Sequence, residues 1–204
     1  GYTTSTLAAG NNLVINATIT PDSSLAPGSI YETTLSVRRN SGDGTVRDAV
    51  KLRTVVQPTA DLLIKVNNEP GSAYAINNVY QSTPSGLQLR EQGTATGATL
   101  VYLVKVENDS STSRTFVVKA TGASDANAVV KYRSGPTNIT TDILDADGYT
   151  TISLAPGPSE VLAVEVTPTS SGVSGAQKDV SMQVFLDGND STVRDAVKVT
   201  TTVP

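Results

Sequence analysis

Glu160 and Glu165 come nearest to a catalytic pair in this sequence. Two carboxylates flanking a sugar can run a glycosidase, one giving a proton while the other attacks or activates water. These two sit in an alternating stretch that reads as a strand. Their spacing gives them opposite parity, so they face opposite sides of the sheet. The chain contains no His, which removes the commonest general base, the commonest metal ligand and the usual Ser and Cys triads. Neither a GxxxxGK(S/T) loop nor a GxGxxG after a strand occurs. The sequence points away from an enzyme: no catalytic, metal or cofactor-binding residue is assigned, and no cofactor is implied.

Three weaker groups of residues remain. The acidic turns Asp145-Ala146-Asp147-Gly148 and Asp187-Gly188-Asn189-Asp190 could offer oxygen ligands to Ca²⁺, but neither has the spacing of a dedicated loop. Asp and Asn also favour turns for local hydrogen-bonding reasons. The sequons at Asn16, Asn108, Asn138 and Asn189 are candidate glycosylation sites on turns or outward positions. Tyr74 and Tyr80 make the best candidate patch for a glycan or protein partner, since Tyr offers a flat apolar face with a polar tip. The alternative is that these rings simply cover an apolar sheet face.

All these residues must be positioned by strands. Hydrophobic residues make up 38% of the 204-residue chain and aromatics only 4%, so Val, Leu, Ile and Ala must build the core. Thr, Val, Ser and Gly favour strands and turns, and no sustained run has helical apolar spacing, so the expected class is all-β. A net charge of −4 with scattered bases disfavours nucleic-acid partners. No stretch is long and apolar enough to insert in a membrane as a helix. The absence of Cys removes disulfides and thiolate metal sites.

The strands themselves follow a long-period repeat. Thr45-Val46-Arg47-Asp48-Ala49-Val50-Lys51 returns unchanged at Thr192-Val193-Arg194-Asp195-Ala196-Val197-Lys198. The same offset of about 147 residues superposes Gly1-Tyr2-Thr3-Thr4 on Gly148-Tyr149-Thr150-Thr151, and about 24 of 57 positions agree without a gap. Residues 1–57 read as four strands. The second, Leu13 to Ile19, alternates so that Leu13, Ile15, Ala17 and Ile19 share a face. Tyr31–Val37 and Val46–Val56 follow, with a turn at 40–44. Asp48 has inward parity near its strand start, where it bonds turn amides or an Arg. Gln57-Pro58-Thr59 punctuates the chain. An insertion at 67–97 reads as a hairpin or flap. Thr99–Glu107 is expected to bury Tyr102, Val104 and Val106, leaving apolar Val101 and Leu103 for the flap to cover. Arg114–Ala120, Val129–Tyr132 and Ile139–Leu144 are read as further strands, before the second copy begins.

A strand ending in Val106-Glu107-Asn108, a return strand led by Phe116, and Leu154-Ala155-Pro156-Gly157 before an alternating strand closing on Thr167-Pro168 resemble the immunoglobulin-like modules of bacterial and archaeal surface proteins, including the CARDB-type sandwiches. The resemblance covers about 95–204, and 1–57 through the repeat, where Leu7-Ala8-Ala9-Gly10 lacks the Pro. It implies an antiparallel immunoglobulin-like β-sandwich that serves outside the cell as a spacer, stalk or assembly unit.

The expected organisation is thus a C-terminal half module at 1–57 followed by a complete module at 59–204. Half a sandwich leaves an apolar face and open edges. Expected partners are therefore neighbouring copies of the same protein or module, engaged by strand complementation or domain swapping, in an extracellular or cell-surface stalk, layer or filament. The rival expectation is an adhesin that binds glycans or proteins through the Tyr74/Tyr80 flap.

Overall fold

A computed structural model describes residues 2, 4, 6–19, 30–38, 44–56, 60–74, 77–110, 112–169, 174–188 and 191–203. The chain divides into two units, Gly1–Val56 and Gln57–Pro204.

In the first unit, β1 (Ile30–Arg38) and β2 (Val46–Val55) form an antiparallel hairpin. Its ladder runs from Ile30 opposite Val55 to Val37 opposite Asp48, with a register shift between Val37 and Arg38. Opposed residues share a face. One side of the hairpin therefore carries Tyr31, Thr33, Leu35 and Val37 against Thr54, Leu52, Val50 and Asp48. The other side carries Glu32, whose carboxylate pairs with Lys51 at 2.5 Å and with Arg53 at 3.9 Å. Tyr31, Leu35, Val37 and Val50 on the apolar side are exposed.

The expected strand at 13–19 does not form: these residues join no ladder. The reason lies in pairing, as the second unit shows below. Gly1, Thr3 and the turn at 39–43 lie outside the described residues.

The second unit is an antiparallel β-sandwich, as the alternation requires. One sheet has the order β3 (Asp61–Val66), β5 (Leu100–Glu107), β10 (Ser159–Pro168), β7 (Ala128–Ser134) and β8 (Thr137–Asn138). The other runs β4 (Leu89–Gly93), β12 (Asp195–Thr202), β11 (Gln177–Leu186), β6 (Phe116–Thr121) and β9 (Tyr149–Thr150). Among the described residues only β4 runs parallel to its neighbour, with Lys198 opposite Leu89 and Thr202 opposite Gly93. Period-two burial along β5 sends Tyr102, Val104 and Val106 into the core, as expected, and β10 does the same with Leu162, Val164 and Val166. Phe116 and Val118 join them from β6.

Two buried tyrosines tie one sheet to the other, because a buried phenol seeks an acceptor. The Tyr102 hydroxyl donates to Thr200 O at 3.0 Å, and the Tyr132 hydroxyl to Thr121 O at 3.0 Å. Gly148, where the second copy starts, has φ +76°, and a Cβ there would come within 2.7 Å of Val117 Cγ1.

Two expected elements differ. Ile139–Leu144 is not a strand: Thr140–Leu144 forms a short helix, α1, with Ile139 at its N-cap. Ile139 and Ile143 are four residues apart, so one helical turn sends both side chains inward, and both are buried. The 67–97 insertion is a flap rather than a hairpin. It holds short 3₁₀ turns at Gly71–Ala73 and Gly86–Gln88, and its far end becomes edge strand β4. Ala75 and Ile76 lie outside the described residues.

Candidate functional site

Three polar side chains, Asp61, Asp195 and Gln88, converge where β3 and β12 start, at the seam between the sheets, under the flap. Asp61 opens β3 and Asp195 opens β12, and both are fully buried. Asp195 Oδ2 accepts the Leu62 amide at 2.7 Å. Its Oδ1 accepts the Gln81 amide at 2.9 Å and Gln88 Nε2 at 2.7 Å. Gln88 is itself fully buried and also donates to Val79 O at 2.9 Å. Asp61 Oδ2 accepts the amide of Asn78, a residue held at φ 65°, at 2.7 Å. One carboxylate thus staples the first strand of the unit and both arms of the flap to β12.

Two carboxylates this close cannot both be ionised in a buried setting. Burial, reinforced by the Asp195 charge, pushes Asp61 up to about 8, against the pull of the Asn78 amide. Burial also raises Asp195, but that group has the amide donors that favour a carboxylate. The donors around Asp195 favour its charged form, so the raised affinity falls to Asp61. Asp61 Oδ1 is buried and makes no hydrogen bond. A carboxyl pair sharing one proton is the chemistry of an acid protease. Here neither residue has exposed surface, so no substrate reaches it, and the pair acts as a fastener.

Tyr80 borders this cluster. Its single hydroxyl hydrogen can go to Asp109 Oδ2 at 2.9 Å or to Asn78 Oδ1 at 2.8 Å. Burial, with Asp109 next, raises the phenol, and burial raises Asp109 too. Tyr74 lies over the outer face of the β3–β5 pair. Lys65 and Lys105 place their ammonium groups 5.2 and 5.5 Å from its ring centroid, within cation–π range. Lys65 is the ladder partner of Leu103.

The glutamates fall where their parity placed them. Glu160 points inward, where Tyr149 Oη donates to Oε1 at 2.7 Å, Ser134 Oγ to the same atom at 2.5 Å, and the Ile152 amide to Oε2 at 3.0 Å. Glu165 points outward and pairs with Arg133 Nε at 2.8 Å. In the acidic turns, Asp145 Oδ1 accepts the Ala146 amide at 2.6 Å, and Asp187 Oδ2 accepts the Thr115 hydroxyl at 2.7 Å. Among the described residues no group of three potential metal ligands assembles.

The sequons differ in surroundings. Asn16 and Asn138 are exposed, with Asn138 Oδ1 accepting the Thr140 amide at 3.0 Å. Asn108 is fully buried; its Nδ2 donates to Thr112 O at 2.9 Å and Leu154 O at 2.7 Å, bonds that a glycan on that nitrogen would break. Asn189 lies outside the described residues. Asp48 accepts the amide of its neighbour Ala49, within β2, at 2.8 Å.

Sequence reasoning missed the Asp61–Asp195 pair. The available signal was Asp195 itself, an acid with inward parity inside an apolar strand; its partner lies too far along the chain for any motif to join them. It also missed Arg194, which is buried beside Arg114. Both have a buried Nε without a hydrogen-bond partner, and no carboxylate among the described residues pairs with either. Arg114 lines a shallow depression with Ser113, Thr115, Ser153, Leu186 and Asp187.

No family model matches the chain, CARDB-type or other, and no curated protein does. Among solved structures it is similar to the N-terminal domain of PorA (15% identity, covering 70% of this chain and 97% of that one, TM-score 0.44). It is also similar to a FixG-related protein from Vibrio parahaemolyticus (10%, 72% and 98%, TM-score 0.39) and to domains 4 and 5 of the S-layer protein SbsC (15%, 77% and 59%, TM-score 0.33). None of these three reaches a TM-score of 0.5.

Proposed function

We propose that this chain is a structural, non-enzymatic β-sandwich module of an extracellular or cell-surface stalk, layer or filament, and that 1–57 and 148–204 are corresponding halves of successive modules. The observation that carries this reading is a shared register. Ile30 faces Val55 as Gln177 faces Thr202, and Val37 faces Asp48 as Val184 faces Asp195, each pair displaced by the offset of the sequence repeat. Repeated sequence that also repeats its strand pairing is what an array of like modules requires, each burying its own core and meeting its neighbours through short linkers.

The acids support the same reading, since Asp61, Asp195, Glu160 and Glu165 are all spent on holding strands together. The flap geometry weighs against the adhesin reading: the Tyr74 ring is taken up by two ammonium groups and the Tyr80 hydroxyl by Asp109 or Asn78. Immunogold labelling of intact producing cells, with an antibody raised against the folded chain, tests the proposal. Label on the outer surface is expected; label confined to the cell interior would overturn it.

A further inference from the structure

We propose that the apolar face of the β1–β2 hairpin is a closing half for the 60–147 half-sandwich of a second copy of this chain, with Asp48 taking the place that Asp195 holds. The inference rests on the reading of 1–57 and 148–204 as corresponding halves. The structure displays one copy of this face with its cover on and the other copy without it. Leu35, Val37 and Val50 are 40%, 57% and 55% exposed, whereas their counterparts Met182, Val184 and Val197 are 1%, 0% and 1% exposed. What covers the second copy is known: Ile64 of β3, Val104 of β5 and Val164 of β10 close on Val180, Met182, Val197 and Val199. Ile64 and Val104 come from 60–147, and Val164 from 148–204 itself.

The polar anchor transfers as well. Asp195 receives the Leu62 and Gln81 amides and Gln88 Nε2, all donated by 60–147. Asp48, in the same heptapeptide at the same register, has inward parity and is exposed. A carboxylate on one face and a cluster of N–H donors on the other are complementary, and left apart the donors would be buried without an acceptor. Residues 13–19 would enter between β5 and β7 in the place of β10, with Leu13, Ile15, Ala17 and Ile19 in the positions of Glu160, Leu162, Val164 and Val166.

The two halves differ where 148–204 is better fitted to the slot. Phe185, 6% exposed, is Arg38 in the first copy, and Glu160, with its three donors, is Leu13. Docking by 1–57 is therefore an exchange that proceeds where the resident half is disabled.

The test is trans-complementation between full-length chains. A recipient carrying Met182→Lys and Val197→Lys, together with Leu35→Lys and Val50→Lys, has no competent closing half of its own. ¹⁵N-labelled recipient is refolded alone and with unlabelled wild-type donor, and followed by amide NMR and by size-exclusion chromatography with light scattering. Alone, the recipient is expected to give a collapsed spectrum. With donor it is expected to regain dispersed strand amides and to elute as a 1:1 complex, and donors carrying Asp48→Ala or Val50→Lys should rescue at least tenfold less. A recipient that folds alone, or one that wild-type donor does not rescue, overturns the proposal. So does a Met182→Lys/Val197→Lys chain with intact 1–57 that refolds as a monomer, because the occupant is then its own half. None of these results depends on where the protein resides, so the surface reading fails or stands separately.

Discussion

The hairpin β1–β2 and the hairpin β11–β12 share a heptapeptide and a register, yet one is open to solvent and the other lies in the middle of a core. A second contrast accompanies it. Residues 13–19 alternate as regularly as β10, but only β10 is a strand. β10 is held on both edges, by β5 and by β7, and both partners come from 60–147. β1 and β2 need only each other. Where a strand's partner follows within a short turn, local sequence suffices to form the ladder; where the partners are distant in the chain, alternation specifies a face and nothing more.

If that is the difference, equivalent substitutions should act unequally in the two copies. The largest gap is expected for Val197→Asp against Val50→Asp. The first buries an unpaired charge and should cost more than about 4 kcal/mol, enough to unfold a domain of ordinary stability, while the second should fall within about 0.5 kcal/mol. Urea titration followed by circular dichroism reads both, and equal effects would erase the contrast. Next comes Asp195→Ala against Asp48→Ala. Losing Asp195 leaves the Leu62 and Gln81 amides and Gln88 Nε2 without their acceptor, a loss on the order of 2–4 kcal/mol. Losing Asp48 removes one exposed bond to Ala49 and should cost only tenths of a kcal/mol.

The Asp61–Asp195 pair sharpens the comparison through pH, because the first copy has no buried counterpart to it. Asp61 titrates at about 8 when folded against 3.8 as a free side chain. Between those values the folded chain holds a proton that the unfolded chain has released. Stability is then full below about pH 4 and declines as pH rises toward 8, by an amount on the order of a few kcal/mol. Asp109, also raised by burial, adds in the same direction. Asp125 and Asp179, lowered by their lysine partners, act oppositely and only as pH falls below the ordinary carboxylate range. Asp61→Asn keeps the side chain's shape and an acceptor for the Asn78 amide without the titration. Thermal melts from pH 4 to 8 should slope downward for the wild type and lie nearly flat for the variant. A wild-type profile that rises with pH would show that the pair carries no shared proton.

Much of the sandwich was legible. Period-two burial in β5 and β10 followed from alternation, and the scarcity of aromatic residues correctly pointed to a core mainly of Val, Leu and Ile, joined by Phe116 and by Tyr102 and Tyr132, whose hydroxyls found acceptors across the sheets. The failures share a cause. Ile139–Leu144 is short and apolar, a length at which strand and helix patterns cannot be separated, and its conversion to α1 depends on Ile139 and Ile143 both reaching a core built by other elements. Leu89–Gly93 became β4 because β12 offered it an open edge, not because of its own sequence. The site was less legible than the fold. Tyr74 and Tyr80 stood out as aromatics, but Lys65, Lys105 and Asp109 reach them through strand pairings no local pattern encodes, and Asp61 meets Asp195 only once both sheets are assembled.

Arg194 gives the smallest effect and the one with an unusual sign. Burial and the nearby Arg114 guanidinium both lower its proton affinity, and its Nε has no acceptor. Among the described residues no carboxylate pairs with Arg194, and a buried cation so placed is desolvated without Coulombic gain, which an apolar side chain of similar length avoids. Arg194→Met should therefore stabilise the second unit by about 1 kcal/mol, or a few degrees in Tm. Arg47→Met, at the equivalent exposed position, should change stability by less than about 0.5 kcal/mol. Because the stabilisation comes from relieving a buried charge, it should persist at 1 M NaCl, where exposed-charge effects are screened away. An Arg194→Met chain that melts below wild type at both salt concentrations would show that this arginine is held by a partner and contributes to the fold.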